Sequence, residues 1–580
     1  MRSRPYTDTT RSGSSRAVPG SAAPPAELQP HSTPERDCCG SCGGPIDEGP
    51  CGSLRSHQGL CGLRDWGCGM SHNFDVVVAV PPLSPTDTNP PLGPYLLKTC
   101  AANAGLRLDV ADMSVRYLNR FKPHPAASVS RVIGDQDKDR AATHAARDHY
   151  LATCPLNSEA PLYLPTASNP ILGMHYGFES IERAIDRACE PSSSCRRFVE
   201  EALFSQYPVP PRVLGLSIMG PPQVFFALLV ARLSKRRWPT TRVVGGGSHV
   251  TLLAEAIATD CRYGADFDLF MPGHSEVHFV EVVRHILQHD SLPPAIGIGA
   301  GDGRAAACTK AISPTVNGRP RSSTSVFEYR PSLDADAIRL YDPARVTIPM
   351  QLTRGCAFGQ CTYCTYPAVE PTVDIEPDWP RVIAALAHLV EATGVRRVSF
   401  KDSLFTVKNL RTLARVLREA GVDIEWSATT LLNAALTRAF LSDLFLSGCR
   451  TLEFGLETID PAGQSLFAKP LDVAMCESVL RAATDTGIAV VINQILGWPG
   501  QTVASVERQV AWYESIRSRA PELIHASFNL LEVNRGSPLA LEPMKFGVVT
   551  SGIAPWAFSY AWNAPPWTSE VKERLRAWST

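Results

Sequence analysis

Short apolar runs recur along most of this chain, and most are followed by residues with helical spacing. Asp75-Val-Val-Val-Ala-Val80 is apolar without alternation, which predicts a strand buried on both faces. A helix is expected over Leu92–Gly105, closed by its glycine, and a second strand over Leu106–Val110. Residues 116–210 lack a clear period, apart from local helices at Ser180–Ala188 and Arg196–Phe204. The pattern resumes with strands at Arg212–Ser217, Thr241–Val244 and Phe267–Met271. Helices are expected at Pro222–Lys235, Val250–Ala258 and Ser275–Gln288. Alternating strand and helix, with apolar strands, predicts a parallel doubly wound sheet across 74–290.

Residues 291–345 are rich in Gly, Ala, Ser and Pro and read as a linker with little regular structure. A second alternation runs across 346–535. Its strands are expected at Val346–Leu352, Val395–Phe400, Val422–Trp426, Arg450–Phe454, Ile488–Leu496 and Leu523–Leu530. The helices between them begin with Pro380–Ala392, where Val382, Ile383, Leu386, Leu389 and Val390 form one stripe. Helices at Leu410–Ala420, Arg438–Leu446, Val473–Ala483 and Val503–Ile516 follow. Six strand–helix steps in about 185 residues fall short of the ~250 of a full eightfold barrel. Residues 536–580 carry Trp556, Trp562, Trp567 and Trp578. These read as a cap over the barrel's open end, with a pocket lining as the other reading.

Composition narrows the class. The 580 residues are 44% hydrophobic and 19% charged, with a formal net charge of −1. That balance describes a soluble enzyme and gives no electrostatic case for nucleic acid or an acidic membrane. No apolar run reaches the ~18–20 residues of a membrane span, and no secretory signal is visible at the start. Seventeen cysteines without such a signal imply a cytoplasmic protein with free or metal-bound thiols. Residues 1–73 are rich in Ser, Pro, Gly and Arg and are expected to be disordered. They hold Cys38, Cys39, Cys42, Cys51, Cys61 and Cys68 at irregular spacings, which read as a loose extension or a second metal or redox site.

The chemistry concentrates in Thr353-Arg-Gly-Cys-Ala-Phe-Gly-Gln-Cys-Thr-Tyr-Cys-Thr-Tyr-Pro367, directly after an expected strand. Cys356, Cys361 and Cys364 leave gaps of four and two residues, with no fourth Cys or His nearby. Three thiolates suit an iron–sulfur cube with one open iron. A closed structural zinc site wants a fourth protein ligand. A zinc loop and three unconnected thiols remain the alternatives.

This loop resembles the cluster motif of the radical SAM enzymes, although their common first gap is three residues. The resemblance implies a [4Fe-4S] cluster on Cys356, Cys361 and Cys364, with S-adenosylmethionine (SAM) chelating the open iron. Tyr363, before the third cysteine, fits the motif. Asp402 matches one of two acids found in related enzymes near the SAM amino group, and Ser403 replaces the other. Gly455-Leu-Glu457-Thr458, continued by Phe467-Ala-Lys469-Pro, is similar to a SAM-contacting element. Gly497-Trp-Pro499-Gly500-Gln-Thr502 is similar to a turn beside the adenine. The implied SAM-binding residues are therefore Tyr363, Asp402, Glu457, Thr458, Gly497 and Pro499.

Residues 74–290 in turn resemble the cobalamin-binding domain that precedes the barrel in one large radical SAM class. The matching residues are Pro81-Pro82 with Pro91-Leu92-Gly93, Ser217, Gly245, Gly246, His249, Gly273 and Glu276. The loop after Val80 holds no histidine, so the Asp-x-His-x-x-Gly cobalt-binding loop of other cobalamin domains is missing. The implied fold class is α/β: a doubly wound Rossmann-like sheet of cobalamin-binding type, then a partial (β/α)6 radical SAM barrel. The implied activity is reductive cleavage of SAM to a 5′-deoxyadenosyl radical, with cobalamin-dependent C-methylation of a peptide or other natural product. An electron donor such as flavodoxin or ferredoxin is implied with it. The alternatives are a rearrangement or cyclisation without methyl transfer, a radical SAM enzyme whose cobalamin domain has kept its fold and lost its ligand, a cobalamin sensor without turnover, and an iron–sulfur electron carrier. No residue reads as a general acid or base.

Overall fold

All five residues of strand β1 (Val76–Val80) are buried, and the first four divide their side chains between two apolar cores. Val77 and Ala79 face one core and Val76 and Val78 the other, which is why no polar residue interrupts the run. The computed structural model describes residues 73–82, 88–121, 178–293, 315–316, 319–320, 328–370, 374 and 376–568. The extension up to residue 72, its six cysteines and Trp578 lie outside these. Among the described residues, no helix is long and apolar enough to cross a membrane.

β1 lies in a five-stranded sheet with β2 (Leu108–Asp112), β3 (Val213–Ser217), β4 (Arg242–Gly246) and β5 (Leu269–Met271). The order is β2-β1-β3-β4-β5 and every pairing is parallel. The order reverses between β1 and β3, which opens a crevice at their carboxyl ends. β2 begins two residues later than the apolar pattern predicts. Gly105, at φ +74°, and Leu106 close the preceding helix by donating to the Ala102 and Ala101 carbonyls, and this takes Leu106 out of the strand. A helix at Met113–Phe121 was not expected; Asp112 caps it by accepting from Val115 N at 3.0 Å. Arg196–Phe204 divides into a helix, Ser194–Val199, and a π-helical turn, Glu200–Phe204.

A short hairpin, β6 (Thr315–Val316) and β7 (Arg319–Pro320), lies in the expected linker. The end of that linker is not a loose connection. Tyr329, Leu333, Ile338 and Tyr341 are buried in the core of the second half, beside Tyr95 and Val115 of the first. Thr99 Oγ1 donates to the Arg330 carbonyl at 2.7 Å, and the Tyr341 hydroxyl donates to the Asp112 carboxylate. These aromatics sit among Gly-, Ala- and Pro-rich neighbours, so no period announces them.

The second half is one sheet of six parallel strands in sequence order. They are β8 (Ile348–Met350), β9 (Arg397–Phe400), β10 (Glu425–Thr430), β11 (Cys449–Glu457), β12 (Ala489–Leu496) and β13 (Ile524–Leu530). Their pairings form the partial barrel, with helices between successive strands. Trp379–Thr393 shows how sharply the ends are set. Asp378 caps its start by accepting from Arg381 N, and Gly394, at φ +69°, ends it. β11 runs three residues past its expected end, and a register shift between Gly455 and Glu457 re-aims the strand there.

The C-terminal segment packs on both halves. Trp556 lies against Tyr263, Phe267 and Phe270 of the first half. Trp567 donates to the Gln501 carbonyl at 3.0 Å, and Trp562 packs near Phe467 and Trp498.

Candidate functional site

The three loop cysteines leave β8 at its carboxyl end. Gly355 (φ +70°), just before the first, and Gly359 (φ +56°), between the first and second, make the loop's tight turns. Two backbone N–H groups point at sulfur: Gly359 N donates to Cys356 Sγ and Tyr366 N to Cys364 Sγ, each at 3.4 Å. Burial pushes the Cys361 thiol up to about 11, with Lys469 acting against it; burial also raises Cys364. A metal would remove both protons outright. Among the described residues, no three His, Cys, Asp or Glu side chains are grouped to hold a metal ion. A closed zinc site needs four such ligands on one ion. Three thiolates that each bind a separate iron need not meet at one point. The partly exposed cysteines, their N–H donors and the nearby lysine suit thiolates that bind a metal centre.

The loop is tied down from several directions. Thr362 Oγ1 donates to the Leu466 carbonyl at 2.8 Å, and Leu539 N donates to the Thr362 carbonyl at 2.9 Å. The Tyr363 hydroxyl donates to Glu457 Oε1 at 2.6 Å, and Lys469 Nζ lies 2.9 Å from the same oxygen. Burial and the facing carboxylate push the Tyr363 phenol far up, so it stays a donor. Glu457 adopts φ +64°, a conformation few non-glycine residues hold, at the shifted end of β11. Thr458 turns away from this group. It is fully buried and donates to Gln509 Oε1 at 2.7 Å, while Gln509 Nε2 donates to the Glu457 carbonyl. Its polar atoms are thus used inside the fold.

Asp402 follows β9. Its Oδ1 accepts from Leu352 N, Thr353 N and Thr353 Oγ1, whereas its buried Oδ2 has no partner. Burial raises its carboxyl to about 7 against those hydrogen bonds. It lines a cavity of about 200 Å³ with Tyr366, Ser399, Lys401, Ser427 and Glu453. A carboxylate oxygen left unpaired beside a cavity fits an ammonium ligand. Gly497, at φ +77°, donates to Gln501 Oε1 at 2.6 Å. Pro499 lines a separate cavity of about 470 Å³ with Gly500, Gly547 and Trp567.

The residues expected around cobalamin divide. Ser217 and Gly246 end β3 and β4, and Gly273 follows β5, all on the carboxyl side of the sheet. Gly245 has a packing reason: a Cβ there would lie 2.7 Å from the Phe270 ring. His249 is fully buried beside Phe558, and neither ring nitrogen finds a hydrogen-bond partner of normal geometry. Burial lowers it to about 4, opposed by the Trp556 backbone. It is a neutral packing residue covered by the C-terminal segment. Glu276 reaches the cysteine loop, where its Oε1 lies 2.8 Å from Arg354 Nη2. Burial would raise Glu276, but His274 and Arg354 outweigh it and hold the carboxyl at about 2. His274 Nε2 lies 3.3 Å from Glu370 Oε1, and Glu370 Oε2 accepts from Gly355 N at 2.7 Å. Arg354 and Glu370 escaped the sequence reading. The available signal was a charged residue on each side of the cysteines.

Residues 350–512 match the family model of the Radical SAM superfamily, so the chain carries a radical SAM domain. An uncharacterized methyltransferase of Pyrococcus horikoshii is 24% identical over 308 residues, 50% of this chain. The match spans 62% of that relative, less than two thirds of its length. The radical S-adenosylmethionine methyltransferase TsrM from Kitasatospora setae, solved with cobalamin and a [4Fe-4S] cluster, superposes with a TM-score of 0.51. It is 15% identical, over 81% of this chain and 77% of that one. OxsB, a cobalamin-dependent S-adenosylmethionine radical enzyme solved with aqua-cobalamin and S-adenosylmethionine, gives 0.53 at 12% identity, over 87% and 66%. At such identities the likeness is one of fold: a parallel sheet followed by a radical SAM domain.

Proposed function

We propose that this chain is a cobalamin-dependent radical SAM enzyme that methylates carbon in a small natural product or peptide. One observation carries the reading. The loop after β5, on the carboxyl side of the first sheet, is joined through Glu276 and Arg354 to the cysteine loop at the carboxyl end of β8. Two ligand-binding strand ends thus open toward one region. When bound, a [4Fe-4S] cluster with SAM would supply a 5′-deoxyadenosyl radical and cobalamin a transferable methyl group.

The chain's own residues divide the remaining work. Cys356, Cys361 and Cys364 hold the cluster, and the Gly359 and Tyr366 N–H groups stabilise thiolate charge. Asp402 offers its unpaired Oδ2 to the SAM ammonium. Tyr363 and Lys469 lock Glu457 at the end of β11, where it orients SAM, and the Gly497–Pro499 turn flanks the adenine. Thr458 supports Glu457 from behind through Gln509. Ser217, Gly246 and Gly273 leave room for cobalamin at the sheet's edge. His249 is buried beneath the C-terminal segment, so it supplies no cobalt ligand. A small protein such as flavodoxin or ferredoxin delivers the electron.

The test is to reconstitute the full chain anaerobically and supply methyl-labelled SAM, cobalamin and candidate substrates. The expected products are 5′-deoxyadenosine, S-adenosylhomocysteine and a labelled product that depends on cobalamin. If 5′-deoxyadenosine forms with a true substrate while no label moves and cobalamin is irrelevant, the reaction is a rearrangement or cyclisation instead.

A further inference from the structure

Cys356 is held differently from the other two loop cysteines. Cys361 and Cys364 flank Thr362 and Tyr363, which bond to Leu466, Leu539 and Glu457. Before Cys356, each of three successive residues is fastened by a separate partner. Thr353 gives its N–H and its hydroxyl to Asp402 Oδ1. Arg354 pairs its backbone with Asp374 in both directions, at 2.7 and 2.9 Å, and its side chain with Glu276. Gly355 is gripped at both of its backbone polar groups. Its N–H donates to Glu370 Oε2 at 2.7 Å, and its carbonyl accepts from Ser403 Oγ at 2.9 Å. That carbonyl belongs to the peptide bond leading into Cys356.

Glu370 is the centre of this arrangement, and it is buried. Its Oε2 also lies 3.4 Å from Ser403 Oγ, so the two side chains that grip Gly355 meet each other. Its Oε1 accepts from Gln351 Nε2 at 2.9 Å, and His274 Nε2, from the loop after β5, lies 3.3 Å from the same oxygen. Glu370 directly follows the short helix Tyr366–Val369, whose first N–H donates to Cys364 Sγ. One turn of chain thus joins the end of the cysteine loop to its beginning. A buried carboxylate is costly unless its lone pairs are used, and here the loop and its supports use them. Building on the functional reading above, we propose that Glu370 is a positioning residue for the cluster: as a hydrogen-bond acceptor it fixes the turn that presents the Cys356 thiolate. It touches no reacting atom and acts through Gly355. The role needs reach and an acceptor oxygen rather than a negative charge. His274 braces Glu370 from the first half.

The experiment reconstitutes the full chain anaerobically and times iron loss to a chelator for the wild type, Glu370→Ala, Glu370→Asp and Glu370→Gln. The electron paramagnetic resonance spectrum of the reduced cluster is recorded beside it. Glu370→Ala strands the Gly355 N–H, so iron should leave about tenfold faster and the spectrum should shift. Glu370→Gln keeps an oxygen within reach and should stay close to the wild type. Glu370→Asp keeps the charge but is one methylene short, and should resemble Glu370→Ala. If Glu370→Ala does not fold, the comparison of the Asp and Gln variants decides alone. Wild-type iron loss and spectrum in Glu370→Ala overturn the proposal, as does an Asp variant that holds iron better than the Gln variant. His274→Leu should speed iron loss to a smaller extent and add nothing once Glu370 is alanine; an equal effect in both backgrounds overturns the brace. The metal content of the wild type tests the functional reading separately. Zinc with no iron sinks that reading, while the same comparison timed on zinc loss still decides the role of Glu370. A wild type that holds neither metal sinks both.

Discussion

Arg354 Nη2 lies 2.8 Å from Glu276 Oε1, and both side chains are largely shielded from solvent. The arginine stands two residues before the first loop cysteine. The glutamate opens the last helix of the first sheet. One ion pair thus sets the cysteine loop against the neighbouring half.

Arg354→Met should destabilise the apoprotein by about 2–4 kcal/mol, because it strands a shielded carboxylate. Chemical denaturation of wild type and variant measures this. A cost near zero would mean that His274 alone satisfies Glu276. The Glu276 carboxyl sits at about 2 in the fold against an ordinary 4.5. Its contribution is therefore present above pH ~4.5 and is lost as pH falls toward 2. Glu276→Gln should flatten that part of the stability profile.

Asp402 titrates in the opposite sense. Its folded carboxyl is raised to about 7 from an ordinary 3.8. Burial makes its ionisation unfavourable, so that share of stability is full below pH ~3.8 and is lost as pH rises through about 7. An ammonium ligand would reverse the preference. SAM affinity should therefore fall as pH drops below about 7, and Asp402→Asn should bind more weakly with no such dependence. Equilibrium dialysis across pH 6–8 checks this. An unchanged pH profile in the variant would remove Asp402 from the SAM site.

Gly455→Ala probes the Glu457 clamp. The added methyl would stand 2.3 Å from Glu457 Oε1 and 2.6 Å from Lys469 Nζ. Both are ends of side chains, so the fold should survive while the pair moves. The expected result is a soluble protein with an intact cluster and SAM affinity lowered about tenfold, worth ~1.4 kcal/mol. Unaltered affinity would make the Glu457–Lys469 pair purely structural.

Cys361→Ala should lose the cluster, seen as the absence of about four irons per chain after reconstitution. Bound zinc in the wild type, with no iron, would contradict the assignment.

A chain beginning near Phe74 should fold and keep its iron, because the apolar cores described above begin at Val76. Insolubility or loss of iron would give the six early cysteines a role.

The order of strands and helices was legible because each element states itself within about ten residues. β1 is five apolar residues in a row, and Trp379–Thr393 carries its own cap and glycine. The cysteine spacing is equally local, and so are the candidate acids at the strand ends. What the tertiary structure alone decided are relations between distant residues. Glu276 and Arg354 are 78 positions apart. Asp112 and Tyr341, which help join the two halves, are 229 apart. His249 stands in sequence among the residues that match a cobalamin-binding domain. That it is fully buried, with Phe558 of the C-terminal segment packed on its ring, is a relation that only the tertiary structure shows. Thr458 sits beside Glu457 in sequence yet faces Gln509, because the shift at the end of β11 turns the two apart. Periodicity reports which face of an element is apolar. Which neighbour meets that face, and whether a polar group there finds a partner or waits for a ligand, depends on how the chain closes on itself.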